Sequence, residues 1–122
     1  MKALSIMAHG SRNPRANEEF LNQAETITQK LDGNYSLAEH CFLELAEPSL
    51  KDACIALAEK GATEIDVYPM FFNRGRHVSV DVPKLVEGAQ EALPNVTFRL
   101  LDYFGSGDDF AQAVASHIDR QG

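Results

Sequence analysis

Two cysteines, few basic residues and no uninterrupted apolar run of membrane-spanning length narrow the possibilities before any motif is read. Cys41 and Cys54 are too few and too isolated for a disulfide framework or a CxxC metal knuckle. Cys41 falls in a predicted strand and Cys54 on the apolar face of a predicted helix, so both are expected as reduced packing thiols. No stretch approaches the ~18 apolar residues of a membrane span, and the amino terminus lacks the apolar segment of a signal peptide. The expectation is a cytoplasmic protein. Lys and Arg number 11 against 18 Asp and Glu, a formal net charge of −7. That balance argues against nucleic acid or an anionic membrane surface as the main partner. It leaves room for a small anionic ligand, because a few arginines at one mouth outweigh a distant average.

What is there reads as one folded unit. Hydrophobic residues make up 44% of the 122 and charged residues 24%, a globular rather than a disordered composition. A chain of this size buries roughly two-thirds of its unfolded surface, enough for one three-layer core and one domain over residues 1–122. Little is left to enclose a large ligand, which would need an open cleft or a second subunit.

The punctuation alternates strand and helix. "ALSIMAH" (3–9) is apolar on both faces, the pattern of a strand covered on both sides. Asn13 and Pro14 suit a helix start, Phe20, Leu21, Ala24, Ile27 and Leu31 recur at helical spacing, and Gly33 suits the stop. A more polar strand is predicted over 35–45, then a helix opened by Pro48, with Leu50, Ala53, Cys54, Leu57 and Ala58 inward and Gly61 as the end. A third strand spans 64–72 and a loop 73–77; a helix over 83–93 has Asp81 as cap and Leu85, Val86, Ala89 and Leu93 inward. The last strand spans 96–104 and the last helix 108–120, with Phe110, Ala113, Val114 and Ile118 inward.

Four strand–helix alternations imply an α/β fold, a three-layer arrangement around a four-stranded parallel sheet. Strands one and three are the most apolar and belong at the centre, strands two and four at the edges, which gives the order 2-1-3-4. Helices then leave strands one and three toward opposite faces, opening a crevice at their carboxyl ends.

Three stretches converge on that crevice. His9 ends strand one in "AHGSRNP", where Gly10 permits close approach and Ser11 and Arg12 precede a helix amino terminus that favours anions. The bland reading of His9 is a strand-end ring bonded to backbone; the other is a ligand or base. "NRGRH" after strand three sets Arg74 and Arg76 around Gly75 and ends on His77, a basic loop in an acidic protein. "LELAEPS" ends strand two with Glu44 and Glu47. Glu47 could serve the helix dipole; near two imidazoles, a carboxylate could instead complete a metal site or hold a substrate N–H. Two imidazoles and a carboxylate without thiolates suit a first-row divalent ion, Co, Ni, Fe or Zn. A neutral imidazole near pH 7 also serves as a base. His117, at helical spacing with Val114 and Ile118, reads as a packing residue, and His40 lies mid-strand near an edge.

"AHGSRNPRANEEF", "FLELAEPS" and "YPMFFNRGRHVSVDVP" together resemble the class II tetrapyrrole chelatases, specifically the short sirohydrochlorin cobaltochelatase family. The three motifs keep the family's order and approximate spacing over nearly the whole chain. The resemblance implies a flavodoxin-like chelatase fold and insertion of a divalent metal, cobalt first and iron or nickel next, into the octacarboxylate sirohydrochlorin. The metal is then a substrate, with no organic cofactor, and the short members act as homodimers. By position, His9 is implied as metal ligand and proton acceptor and His77 as the second metal ligand. Glu47 and the run Phe72, Asn73, Arg74, Gly75, Arg76 and His77 are implied as macrocycle contacts, with Glu44 as a metal or proton-shuttling carboxylate. The loop departs from the less basic FL-x-x-G-x-H version of many relatives. Two other classes stand beside this one. A non-catalytic tetrapyrrole or metal-binding carrier would bind without accelerating insertion. A histidine phosphotransfer enzyme would want an arginine just before the histidine, where this chain has Ala8.

Overall fold

The computed structural model describes residues 1–122, the side chain of His77 excepted. Four parallel strands, β1 (Lys2–Ala8), β2 (Leu37–Phe42), β3 (Glu64–Pro69) and β4 (Thr97–Leu100), form one sheet in the order β2-β1-β3-β4. This is the predicted order, and the doubly apolar β1 holds the centre with residues 3–7 all buried. Its odd positions, Ala3 and Met7 among them, face one core; Leu4 and Ile6 face the other. Ser5 is the buried polar exception, and its hydroxyl donates to the Cys41 sulfur at 3.3 Å.

The two sheet faces are covered unequally. Helices α2 (Leu50–Glu59) and α3 (Val82–Ala92) share the first face, where Leu50, Ala53, Cys54, Leu57, Val82 and Ala89 are buried. Helix α1 (Pro14–Gln29) covers the second with Phe20 and Ala24. Cys41 and Cys54 are buried free thiols, as expected, and burial pushes both up to about 12, which keeps them unreactive.

Local chemistry sets the boundaries. The Asn13 side chain accepts from the Arg15 N–H at 3.0 Å with Pro14 behind it, the predicted start of α1. Helix α2 begins later than expected: Ser49, not Pro48, is its cap, accepting from the Asp52 N–H at 3.2 Å, and the Glu47–Pro48 peptide before it is cis. Asp81 is no cap either. Its backbone is already helical (φ −70°, ψ −42°), because α3 is entered through a π-helical turn, His77–Asp81. Strand β4 stops at Leu100 rather than at 104. The Leu101 N–H bonds the Val67 carbonyl, and the register next requires an N–H from Pro69, which proline lacks. The chain then makes a 3-10 turn, Phe104–Ser106.

The largest departure is α4 (Asp108–Arg120). Its limits match the prediction, but none of its residues is buried, and Val114 and Ile118 are 41% and 61% exposed. His117, expected to pack, is exposed and meets the Gln121 side chain at 3.2 Å. Ala113, Val114 and Ile118, expected inward, are exposed, and no described residue covers that side of the helix.

Candidate functional site

The carboxyl ends of the central strands carry the site. Beyond the regular ends of β1 and β2 the two chains stay together: the Leu43 N–H bonds the Ala8 carbonyl at 2.8 Å and the Glu44 N–H bonds the His9 carbonyl at 3.1 Å. This pairing brings the first predicted histidine and the first predicted carboxylate side by side. His9 Nε2 lies 3.9 Å from Glu44 Oε1, and each side chain is 45% exposed, so both are open to a ligand. The other ring nitrogen, Nδ1, lies 3.2 Å from the Gly10 carbonyl oxygen.

Gly10 makes the approach possible. Its φ is +98°, a conformation that side chains disfavour, and a Cβ there would collide with the Glu44 carbonyl oxygen. The turn that follows is self-bonded. The Ser11 N–H donates to the Asn17 side chain at 3.0 Å, and Asn17 Nδ2 returns a bond to the Ser11 carbonyl at 2.8 Å. Arg12 is exposed at the tip, next to the amino terminus of α1.

The third strand delivers its loop to the same end. The Met70 N–H bonds the Met7 carbonyl at 2.8 Å, and the Phe71 ring lies edge-on to His9 with centroids 6.4 Å apart. Phe72 follows, 60% exposed, then Asn73, Arg74, Gly75 and Arg76, all exposed. The Ser79 N–H and hydroxyl both bond the Gly75 carbonyl, at 3.1 and 3.0 Å, tying the basic loop to the π-helical turn. The backbone of His77 opens that turn; its side chain, the predicted second ligand, lies outside the described residues. Glu47 is exposed, ahead of the α2 cap. Among the described residues no group of three or more His, Cys, Asp and Glu side chains is placed to hold a metal ion; of the predicted donors, His9 and Glu44 are the two whose side chains stand together.

Three residues here were not among the predicted site residues. Phe104 and Phe110 pack on Phe72 with centroids 6.4 and 5.5 Å away and on each other at 5.4 Å. Gly105 lies so close that a Cβ would strike the Phe72 carbonyl oxygen, and its N–H bonds the Phe71 carbonyl at 3.0 Å. The available signal was the glycine-flanked aromatic run "YFGSGDDF" at the end of the fourth strand.

Comparison with known proteins identifies the family and the fold. The CbiX family profile matches residues 3–121. The chain is 35% identical over its whole length to a sirohydrochlorin cobaltochelatase of Priestia megaterium, of which it spans 39%. It is 34% identical over 94% of its length to a chloroplastic sirohydrochlorin ferrochelatase of Arabidopsis thaliana, of which it spans 50%. The chain therefore spans half or less of the length of these curated relatives. Among solved structures, a putative cobalamin biosynthesis CbiX protein of Marinobacter aquaeolei superposes with a TM-score of 0.85 at 28% identity, covering 99% of this chain and 97% of that one. SirB of Bacillus subtilis with Fe3+ superposes with a TM-score of 0.89 at 26% identity, covering 99% of this chain and 47% of that one. The chain belongs to the CbiX family.

Proposed function

We propose that this chain inserts a divalent metal ion, cobalt first and iron or nickel as alternatives, into sirohydrochlorin, acting as a lyase in cobalamin- or sirohaem-type tetrapyrrole synthesis. The observation that carries the reading is the exposed pair His9–Glu44, 3.9 Å apart at the end of the central strand and beside the loop from β3.

Insertion exchanges two macrocycle N–H protons for one M2+, so the site must accept two protons and strip water from the ion. His9 serves as metal ligand and as base: an exposed imidazole binds the ion through one nitrogen or takes a pyrrole proton. Glu44 stands where it can receive that proton and return it to solvent, readying the imidazole for the second. His77 is the second metal ligand. Two imidazoles and a carboxylate leave coordination positions open, so the ion is held loosely enough to be passed on.

Sirohydrochlorin brings eight carboxylates, which a chain of net charge −7 repels on average. Arg12, Arg74 and Arg76, exposed around the same end of the sheet, supply local attraction and paired hydrogen bonds to carboxylates. Phe72 offers an exposed ring to the macrocycle edge, with Asn73, Gly75 and Glu47 as further contacts. We assign residues 1–122 to one chelatase domain working as a cytoplasmic homodimer. No helix among the described residues is long and apolar enough to cross a membrane.

The test is a visible-spectrum time course of purified chain with sirohydrochlorin and, in competition, Co2+, Fe2+ and Ni2+. Faster insertion than in buffer, with one metal preferred, is the expected result. Tight binding without acceleration would make the chain a carrier.

A further inference from the structure

Among the described residues Leu45 is the one residue other than glycine with a positive φ, +66°. Leucine gains nothing from that conformation: its Cβ crowds the backbone, a strain that glycine escapes and asparagine tolerates. Nor is its side chain buried, since 50% of the residue is exposed. A strained backbone that carries an exposed apolar side chain helps neither the turn nor the core, and strain of this kind gathers at functional sites.

The loop around Leu45 holds it in place. The Phe42 N–H bonds the Pro48 carbonyl at 2.9 Å, closing the loop 43–48 at its base, and the Glu44 N–H fixes its rim to the His9 carbonyl at 3.1 Å. Leu43 packs on the core under α2 and α3, and Ala46 on the opposite core under α1. The left-handed turn at residue 45 falls where the chain passes from one core to the other, which leaves Glu44 and Leu45 exposed at the rim. Of the large apolar side chains exposed among the described residues, only Leu45 and Phe72 lie in the loops that follow the two neighbours of β1. The order β2-β1-β3 sets those loops on either side of His9, their strands about 10 Å apart. A flat ring centred over His9 therefore meets an apolar side chain on each side.

We propose that Leu45 is a substrate-binding residue, its side chain laid against the apolar ring of the macrocycle across from Phe72, and that the strained backbone at residue 45 holds it there. The inference deepens the chelatase reading above and rests on it. Recognition then has two parts. The arginines meet carboxylates at the macrocycle's periphery, while Leu45 and Phe72 meet the ring that those carboxylates surround.

The test uses the full chain in three variants. Leu45→Gly and Leu45→Asn remove the apolar group while easing the backbone, and Leu45→Met keeps an apolar group of similar size. The Gly and Asn variants should have urea midpoints at or above that of wild type. In a metal-free absorbance titration they should nevertheless bind sirohydrochlorin about tenfold more weakly, the equivalent of half a leucine denied burial. KM for insertion should rise with kcat unchanged, since the contact is made before and during the reaction alike. No charge is removed, so the deficit should be equal at low and high salt, unlike that of the arginine variants. Leu45→Met should bind within about threefold of wild type. Wild-type affinity in the Gly and Asn variants, midpoints well below wild type in both, a deficit that salt abolishes, or a Met variant as weak as the Gly variant would overturn the assignment. A wild-type chain that binds no sirohydrochlorin would count against the chelatase reading as well, whereas normal wild-type binding left unchanged by the variants rejects Leu45 alone.

Discussion

Gly10→Ala tests how the site is built, because the added methyl group fails for two independent reasons. Residue 10 has φ +98°, where an L side chain carries strain of about 1–3 kcal/mol. The new Cβ would also overlap the Glu44 carbonyl oxygen, a backbone atom that no rotamer change can move. Relieving an overlap of this kind costs about 1–3 kcal/mol more in shifted backbone. Against this stands a gain of about 0.4–1 kcal/mol from the stiffer unfolded chain. The penalties win, and the net loss is about 3 kcal/mol of a total stability of ~5–15 kcal/mol. With a urea slope of about 2 kcal/mol/M for a small domain, the midpoint should fall by ~1.5 M.

The functional consequence follows from which atom is struck. The Glu44 backbone is bonded to the His9 carbonyl, so easing the overlap moves the two site residues relative to each other. A misplacement of about 1 Å can cost up to ~100-fold in rate, so insertion should fall at least tenfold even in the folded fraction. Gly75→Ala is the control: its φ lies outside the left-handed range and a Cβ there has no neighbour within 4 Å. It should leave the midpoint within about 0.5 kcal/mol of wild type. Equal midpoints for the two variants, with a wild-type insertion rate for Gly10→Ala, would refute the claim that the Gly10–Glu44 approach sets the geometry.

His9→Ala removes a half-exposed ring, so urea stability should hold while insertion slows by about 10²–10⁴-fold; a wild-type spectral time course would remove His9 from the mechanism. Arg74→Ala and Arg76→Ala should weaken sirohydrochlorin binding, with a larger deficit at low than at high salt, since both guanidinium groups are exposed and screened; a titration unchanged in both variants would dismiss the basic mouth. Asp66 gives a pH prediction. Burial pushes its carboxyl up, but hydrogen bonds from Arg99 at 3.1 and 2.7 Å and from Tyr35 at 2.7 Å, with the Lys2 charge, outweigh burial and hold it below the usual carboxylate value. A group depressed on folding contributes stability above its unfolded pKa, near 4, and loses it as pH falls through the folded value. Asp66→Asn should therefore be less stable than wild type at pH 7 and converge on it in acid; a constant difference down to pH 2 would contradict the assignment.

Much of this architecture was legible because the signals were local. The doubly apolar run at 3–9 named the central strand, Asn13-Pro14 named a helix start, and the 2-1-3-4 order followed from which strands carry polar residues. Arg99, one of those polar residues, does lie on the edge strand, reaching in to Asp66. Where the reading failed, the deciding atoms came from elsewhere in the chain. Strand β4 ends early because its neighbour is a proline at the next ladder position, and Asp81 is no cap because the π-helical turn ahead of it is already wound. His9 and Glu44 lie at the end of the sheet to which their two motifs were assigned, but the Phe72–Phe104–Phe110 cluster depends on how α4 departs.

The two glycines of close approach explain how exposed side chains can still be accurately placed. On the proposed function His9, Glu44 and Phe72 reach a flat macrocycle too large for this core, so burial would not hold them; they are 45%, 45% and 60% exposed. Their backbones are held instead. Gly10 lets the end of β1 lie against Glu44, and Gly105 lets the turn after β4 lie against Phe72. Each contact brings a hydrogen bond that a side chain would displace, from Glu44 N–H to His9 and from Gly105 N–H to Phe71. Strand-end backbones locked to one another give precision, and solvent-facing side chains give reach. A chain that spends its packing on one three-layer core can therefore build an open site at the rim of that core, and the helix it leaves uncovered joins the same rim through Phe110.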